Sequence, residues 1–385
     1  MKICIIRSST GVISSSVETI VYQMARHLSK NHDVTLITGR SRSKPLLDRT
    51  KNAPFNVVTV PFWPRDTPLN NLASKLYRRL HPWKVESLSF YFNMLLRPSV
   101  KKKIIDADVI LTWYRTESRL FSNFGYRYGV PCIFNLQFNI KTSGFNKKFF
   151  EIDKSVMYIA NSKNSKDSLE DVFGIKIDGY ITPAVSPEFI YENYPKIPIM
   201  EGKKSILFVG ELTPLKGAEK LIDVFKSVSN KHDDAILVIV GHGKLKNLLI
   251  DKVKKLNLSD KIIFTGQVDY EQMPSYYKSA TIFVHPSYSE TFGMVVLEAM
   301  ACGLPVVASD INSLRDITEG TAILLPWGNW NVWTEKIDHL LKNEELQKKM
   351  ALAGIEKAKE HVWEKKAKEL ESYIKKAAEF KGKLH

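Results

Sequence analysis

The sequence predicts a doubly wound α/β protein, with two Rossmann-like domains facing a cleft. Three observations carry that prediction. Short apolar runs rich in Ile and Val recur along the whole chain. Segments of helical period separate them, as crossover helices separate parallel strands. The alternation breaks once, in a proline-bearing stretch near the middle, and then resumes. A length of 385 residues also fits two cores better than one.

The expected strands, in order, are 2–7, 34–38, 56–60, 109–113, 132–136 and 157–160, followed by 205–209, 236–240, 262–265, 282–285, 305–308 and 322–325. Their near-continuous hydrophobicity implies burial on both faces, which is the habit of parallel sheets. Periodic segments such as 17–29 and 218–229 supply the helices between them. The stretch 183-PAVSPEFIYENYPKIPIMEGKK-204 carries Pro183, Pro187, Pro195 and Pro198 and shows no helical period. It predicts a first domain over 1–187, a linker over 188–204 and a second domain over 205–360. The Lys- and Glu-rich end predicts surface helices, the last of which, 361–385, would pack back on the first domain.

Composition narrows the class. Apolar residues make up 44% and charged residues 25%, an ordinary globular balance. No window approaches the roughly 18 continuous apolar residues of a membrane span. The start, MKICIIRSST, is too short in apolar residues for a signal-peptide core and reads as a buried strand. Cys4, Cys132 and Cys302 each lie in an apolar run, away from metal-ligand or redox-pair spacing, and predict buried thiols in a reducing cytoplasm. The net charge of +15 suits an anionic partner, or a lysine-rich surface that only meets water.

The stretch 284-VHPSYSETFGMVVLEAMACGLPVVASD-310 sets Glu290 and Glu298 around an apolar run. Glu290 falls in the loop leaving a strand, at the carboxyl end where open α/β sheets bind ligands. A helix is expected from about Gly293 to Cys302, with Glu298 in its second turn. The amides of Phe292, Gly293, Met294 and Val295 then form an unpaired helix start, which attracts phosphate by hydrogen bonding and dipole. Carboxylates on either side accept hydrogen bonds from hydroxyls. Diphosphate flanked by hydroxyls describes a nucleotide sugar. The plainer reading makes Glu290 a loop residue and Glu298 a surface residue, although Glu298 interrupts an apolar face.

The pair Glu290 and Glu298 resembles the E-x7-E motif of retaining GT-B glycosyltransferases of family 4. Neighbouring stretches resemble the same family. They are His285-Pro286-Ser287 before Glu290-Thr291-Phe292-Gly293, Leu297 to Ala308, Phe208-Val209-Gly210 with Lys216-Gly217, Phe264-Thr265-Gly266, and Ala160-Asn161-Ser162. The resemblance is dense over 205–325 and only in outline over the first 150 residues. It implies the GT-B fold and transfer of a hexose from a UDP- or GDP-sugar, with anomeric configuration retained and neither metal nor cofactor. In that frame Glu298 holds ribose hydroxyls and Glu290 holds hydroxyls of the transferred sugar. Lys216 neutralises the departing diphosphate, while Gly210, Gly241, Gly266 and Gln267 border the nucleotide. Consistent with metal independence, Asp106-Ala107-Asp108 precedes a strand instead of ending one and reads as a solvated turn.

Three positions depart from the family pattern. Glu211 stands where an arginine is usual and would turn away or pair with Lys216. The first loop offers Gly11 and Ser14, Ser15 and Ser16 in place of paired glycines. The serines serve equally as phosphate or acceptor ligands or as helix caps. Gln137 replaces a histidine and cannot carry a proton. These departures keep open an alternative: a GT-B protein that binds a nucleotide or glycan without transferring it. A dehydrogenase lacks its G-x-G-x-x-G after the first strand, and no nucleic-acid-binding signature accompanies the charge. The expected partners are therefore a nucleotide sugar and a glycan or lipid-linked acceptor. Residues 72–103 mix Lys and Arg with Leu, Trp, Phe and Tyr, which suits an anionic membrane face or an amphipathic core helix. The expected location is the cytoplasm, or its membrane face.

Overall fold

The computed structural model describes residues 1–11, 16–41, 45–63, 82–136, 156–381 and 383. Two compact units divide the chain: Met1–Pro183 with Trp363–His385, and Ala184–Val362.

The first unit holds a seven-stranded sheet of order β3-β2-β1-β4-β5-β6-β7, parallel throughout. Its strands are β1 Lys2–Ile6, β2 Asp33–Arg40, β3 Asn56–Pro61, β4 Val109–Thr112, β5 Cys132–Leu136, β6 Val156–Ala160 and the two-residue β7 Gly179–Tyr180. The second unit holds a six-stranded parallel sheet of order β10-β9-β8-β11-β12-β13. Its strands are β8 Lys204–Val209, β9 Ala235–Val240, β10 Ile262–Gly266, β11 Ile282–His285, β12 Val306–Ser309 and β13 Ile323–Leu325. Every residue of β4, β5, β9, β11 and β12 is buried, as helices on both faces require. All twelve expected strands form; among the described residues the one further strand is β7, too short to carry a period.

In the second unit, helices Ala218–Ser229 and Trp330–Lys342 cover one face of the sheet, burying Leu221, Phe225, Trp333 and Ile337 against Ile206, Phe208 and Leu237. Trp333 is fully enclosed and donates from Nε1 to the Pro326 carbonyl at 3.1 Å, so its one polar atom is satisfied. In the first unit, helix Trp363–Ala378 packs on helix Ser16–Leu28, and its Tyr373 ring fills the space left by the missing side chain of Gly179.

Several expectations change. Residues 188–204 are no free linker. The second unit begins at Ala184, where the Val185 amide donates to His361 at 2.8 Å. Phe189 and Met200 are buried, and helix Pro187–Tyr191 and the 3-10 turn Pro198–Met200 each start on a proline. Proline is at home in a helix's first turn, where its missing N–H costs nothing. The second unit ends at Val362, and the last helix of the first unit starts at Trp363. Asp108 is more than a solvated turn residue: it accepts from the Lys2 amide and from Lys381 Nζ, each at 2.8 Å. Cys4 and Cys132 are buried, whereas Cys302 is only partly so. Among the described residues no helix is long and apolar enough to cross a membrane.

Candidate functional site

In the second sheet the chain runs outward from β8 to β9 and β10, then returns to lay β11 beside β8 before running on to β12 and β13. The carboxyl ends of β8 and β11 therefore flank the topological switch point, where α/β sheets open a ligand crevice. Gly210 follows β8, Gly241 follows β9 and Gly266 ends β10. Their backbones are linked by Gly210 N–H to Val240 O at 3.0 Å and Gly241 N–H to Gly266 O at 2.8 Å. Gly241 has φ +139°, and a side chain there would run into the Gly210 carbonyl. Only glycine lets these strand ends approach so closely.

Beyond β8, a 3-10 turn Pro214–Lys216 leads into helix Ala218–Ser229 through Gly217, at φ +74°. A side chain on Gly217 would strike the Pro286 carbonyl, so glycine seats this turn directly against the loop leaving β11. That contact places Lys216 beside Glu290. Lys216 Nζ donates to Glu290 Oε1 at 2.5 Å, and His285 Nε2 meets the same oxygen at 2.7 Å. Ser313 Oγ holds the Glu290 carbonyl at 3.1 Å. The Glu290 side chain is 10% exposed. Burial alone would raise its pKa, but the bond from His285 and the charge of Lys216 outweigh burial and hold it down at about 2. Among the described residues, Glu290 Oε2 has no partner.

Helix Met294–Ala301 starts immediately after, with Gly293 at its cap. The first amides bonded back to Gly293 are those of Val296 and Leu297. Those of Phe292, Gly293, Met294 and Val295 have no acceptor among the described residues, and they form an open helix start. Glu298 lies one turn on. It is not a surface residue: it is 6% exposed, and Tyr277 Oη, on the buried helix Met273–Ser279, donates to its Oε2 at 2.8 Å. Burial raises the Glu298 pKa to about 7, the Tyr277 bond opposing it only in part. Oε1 has no partner among the described residues.

The structure thus gathers Glu290 with Lys216 at the switch point, sets the open amides of 292–295 between Glu290 and Glu298 in the chain, and ranges Gly210, Gly241 and Gly266 along the adjoining strand ends. Gln267 follows β10 and is exposed. Glu211 is exposed as well; the partner of Lys216 is Glu290, not Glu211. Two residues that sequence reasoning gave no role, His285 and Tyr277, are the ones that hold the two glutamates. His285 left a trace, since it is the polar end of the otherwise apolar strand IFVH. Tyr277, on a separate helix 21 positions from its partner, left none.

In the first unit, Gly11 is a packing residue. Its amide donates to Thr38 Oγ1 at 2.8 Å and its carbonyl accepts from Leu47 at 2.8 Å. Ser16 is the exposed first residue of helix Ser16–Leu28. Ser14, Ser15 and Gln137 lie outside the described residues, as does the 72–81 part of the basic segment. At the carboxyl end of β1 stands a buried polar knot. Arg7 bonds Glu18 at 2.6 Å and Glu117 at 3.5 Å, and the Ser9 hydroxyl meets Glu18 at 2.6 Å. Among the described residues no three His, Cys, Asp or Glu side chains gather as metal ligands do.

Residues 190–357 match the family described as Glycosyl transferases group 1. An uncharacterized glycosyltransferase of Methanocaldococcus jannaschii is 42% identical over 121 residues, 31% of each chain. Phosphatidyl-myo-inositol mannosyltransferase of Mycobacterium leprae is 31% identical over 201 residues, 51% of this chain and 50% of that one. The matched stretches thus span a third to a half of these relatives. Among solved structures, Anabaena HepE in complex with UDP superposes with a TM-score of 0.76 at 15% identity, over 98% of this chain and 100% of that one. Sucrose-phosphate synthase of Thermosynechococcus elongatus does so with a TM-score of 0.73 at 18% identity, over 97% and 98%. At such identities the likeness speaks for the GT-B fold.

Proposed function

We propose that the chain, whose residues 190–357 match the Glycosyl transferases group 1 family, is a retaining, metal-independent hexosyltransferase. The donor is a UDP- or GDP-sugar and the acceptor a hydroxyl of a glycan or a lipid-linked glycan. One observation carries the reading: Lys216, Glu290 and the open start of helix Met294–Ala301 converge at the β8/β11 switch point.

The diphosphate lies on the amides of Phe292 to Val295, where hydrogen bonds and the helix dipole favour an anion. Glu298 Oε1 accepts from the ribose hydroxyls, and Gly210, Gly241, Gly266 and Gln267 border the base. Glu290 Oε2 accepts from a hydroxyl of the sugar, while its negative charge steadies positive charge gathering at the anomeric carbon. Lys216 turns from Glu290 to the phosphates and neutralises the oxygen that leaves as the anomeric bond breaks. The acceptor hydroxyl enters on the same face, forms the new bond and gives its proton to the departing phosphate. Lys216 and the helix start supply the positive charge a metal would otherwise bring.

The acceptor belongs to the first unit, and its helices supply an argument for a membrane-borne one. On helix Pro82–Leu95 and just beyond it, Phe92 is 58% and Leu96 78% exposed one turn apart, with Lys102 and Lys103 exposed nearby. Exposed apolar anchors beside lysines fit an anionic lipid surface. The relatives include an enzyme named for a phosphatidylinositol acceptor.

The test is a panel of UDP-, GDP- and ADP-sugars read by thermal shift and then by donor hydrolysis and transfer, with and without EDTA. We expect a shift with at least one donor and turnover that EDTA leaves intact. Glu298→Ala should lose the shift. Glu290→Ala should keep it and lose turnover, and Lys216→Ala should lower turnover by about 100-fold or more. A shift without turnover for any donor would leave the non-transferring nucleotide-binding reading in its place; no shift at all would end both.

A further inference from the structure

We propose that His285 is the positioning residue of the site: it keeps the Glu290 carboxylate in register once Lys216 has moved to the diphosphate. The inference rests on the function proposed above and concerns a residue that function does not itself require. One oxygen, Glu290 Oε1, takes both Lys216 Nζ at 2.5 Å and His285 Nε2 at 2.7 Å. The two donors differ in freedom. The Lys216 side chain is 25% exposed and hangs on a flexible stem, free to swing to a phosphate. The His285 ring is 1% exposed and fixed. It lies nearly parallel to Phe208, at 6.2 Å and 22°, and to Phe283, at 5.9 Å and 10°. Its Nδ1 is buried without a partner among the described residues, and among them its bond to Glu290 is the only hydrogen bond the ring makes.

Among the described residues, Lys216, from the turn after β8, and His285, from the end of β11, are the titratable groups that pair with Glu290. When a diphosphate draws the ammonium away, the imidazole is what remains. Without it Oε1 of a buried carboxylate would lose both its donors, leaving only the sugar hydroxyl on Oε2, and burial favours the protonated form. A neutral Glu290 cannot steady positive charge at the anomeric carbon. The balance at rest agrees: burial pushes the carboxyl up, and the His285 bond is the largest influence bringing it down.

The test compares His285→Phe, which keeps the ring stack and removes the donor, with His285→Gln, whose amide nitrogen can donate from a similar reach. We expect His285→Phe to lower kcat about 10- to 100-fold, the range one charge-assisted hydrogen bond covers. KM for the donor should stay nearly unchanged, and the acid limb of the kcat profile should move to higher pH. His285→Gln should restore most of kcat. A His285→Phe enzyme with wild-type kcat and pH profile overturns the proposal, as does a His285→Gln enzyme of unaltered melting temperature that recovers nothing. If the wild-type protein turns over no sugar nucleotide, the functional reading fails by itself. The carbon-13 resonance of the Glu290 carboxyl, assigned with Glu290→Gln and followed against pH in saturating UDP, then decides the role of His285. His285→Phe should raise its midpoint, and an unmoved midpoint refutes the inference.

Discussion

Replacing Glu298 by glutamine tests whether a carboxylate is held at the nucleotide site at a cost to the fold. The Glu298 side chain is buried, with a hydrogen bond from Tyr277 at 2.8 Å, and its pKa is raised from an ordinary 4.5 to about 7. A raised carboxyl pKa means that the folded protein binds the proton more tightly than the unfolded chain. The stability this brings is fully present below pH 4.5 and is lost as pH rises through 7. The displacement corresponds to roughly 3 kcal/mol by pH 7 to 8, and to less than about 1 kcal/mol at pH 5. Glutamine keeps the acceptor for Tyr277 and carries no charge, so Glu298→Gln should gain stability relative to wild type as pH rises from 5 to 8. Taking the second unit as the cooperative unit, the relative gain in melting temperature is on the order of 5–10 °C across that range. Differential scanning calorimetry at pH 5, 6, 7 and 8 reads it. The same variant should lose the thermal shift given by its donor, because an amide is a poorer acceptor for paired ribose hydroxyls. Stability exchanged against function at one residue marks a binding site. A difference between variant and wild type that stays flat from pH 5 to 8 would refute the reasoning.

Two further outcomes follow from the geometry. Gly241→Ala puts a methyl group into the Gly210 carbonyl at φ +139° and should cost about 3 kcal/mol or more together with donor affinity, whereas Gly266→Ala, at φ +77° with open space around it, should cost only about 1–2 kcal/mol; denaturant titration compares them. Phe92→Asp with Leu96→Asp should abolish co-sedimentation with vesicles containing phosphatidylglycerol and leave donor hydrolysis intact; equal sedimentation of variant and wild type would contradict a lipid-facing surface.

The fold was legible because parallel strands buried on both faces leave continuous apolar runs, and all twelve runs became strands. The unit boundary was not, because Pro187 and Pro198 suggest a linker by composition yet begin helical turns, and Phe189 and Met200 are buried, Phe189 against Tyr270 and Tyr277 of the second unit. The site was half legible. Glu290 and the open helix start could be named from spacing, since each lies next to a strand end or helix start that the apolar pattern locates; Lys216 could be named only from the family resemblance. Their partners could not. Glu290 meets Lys216 across 74 positions because Gly217 seats one turn against Pro286, and Glu298 is satisfied by Tyr277 from a different helix. Such pairings are made by tertiary packing, which periodicity does not record.

The most direct measurement is a crystal structure of the full chain soaked with the UDP- or GDP-sugar that gives the largest thermal shift. The account predicts the diphosphate on the amides of Phe292 to Val295, Lys216 Nζ turned from Glu290 to a phosphate oxygen, Glu298 against the ribose and Glu290, still bonded to His285, against the sugar. Nucleotide bound elsewhere, or Lys216 still clasped to Glu290 beside a bound diphosphate, would contradict it.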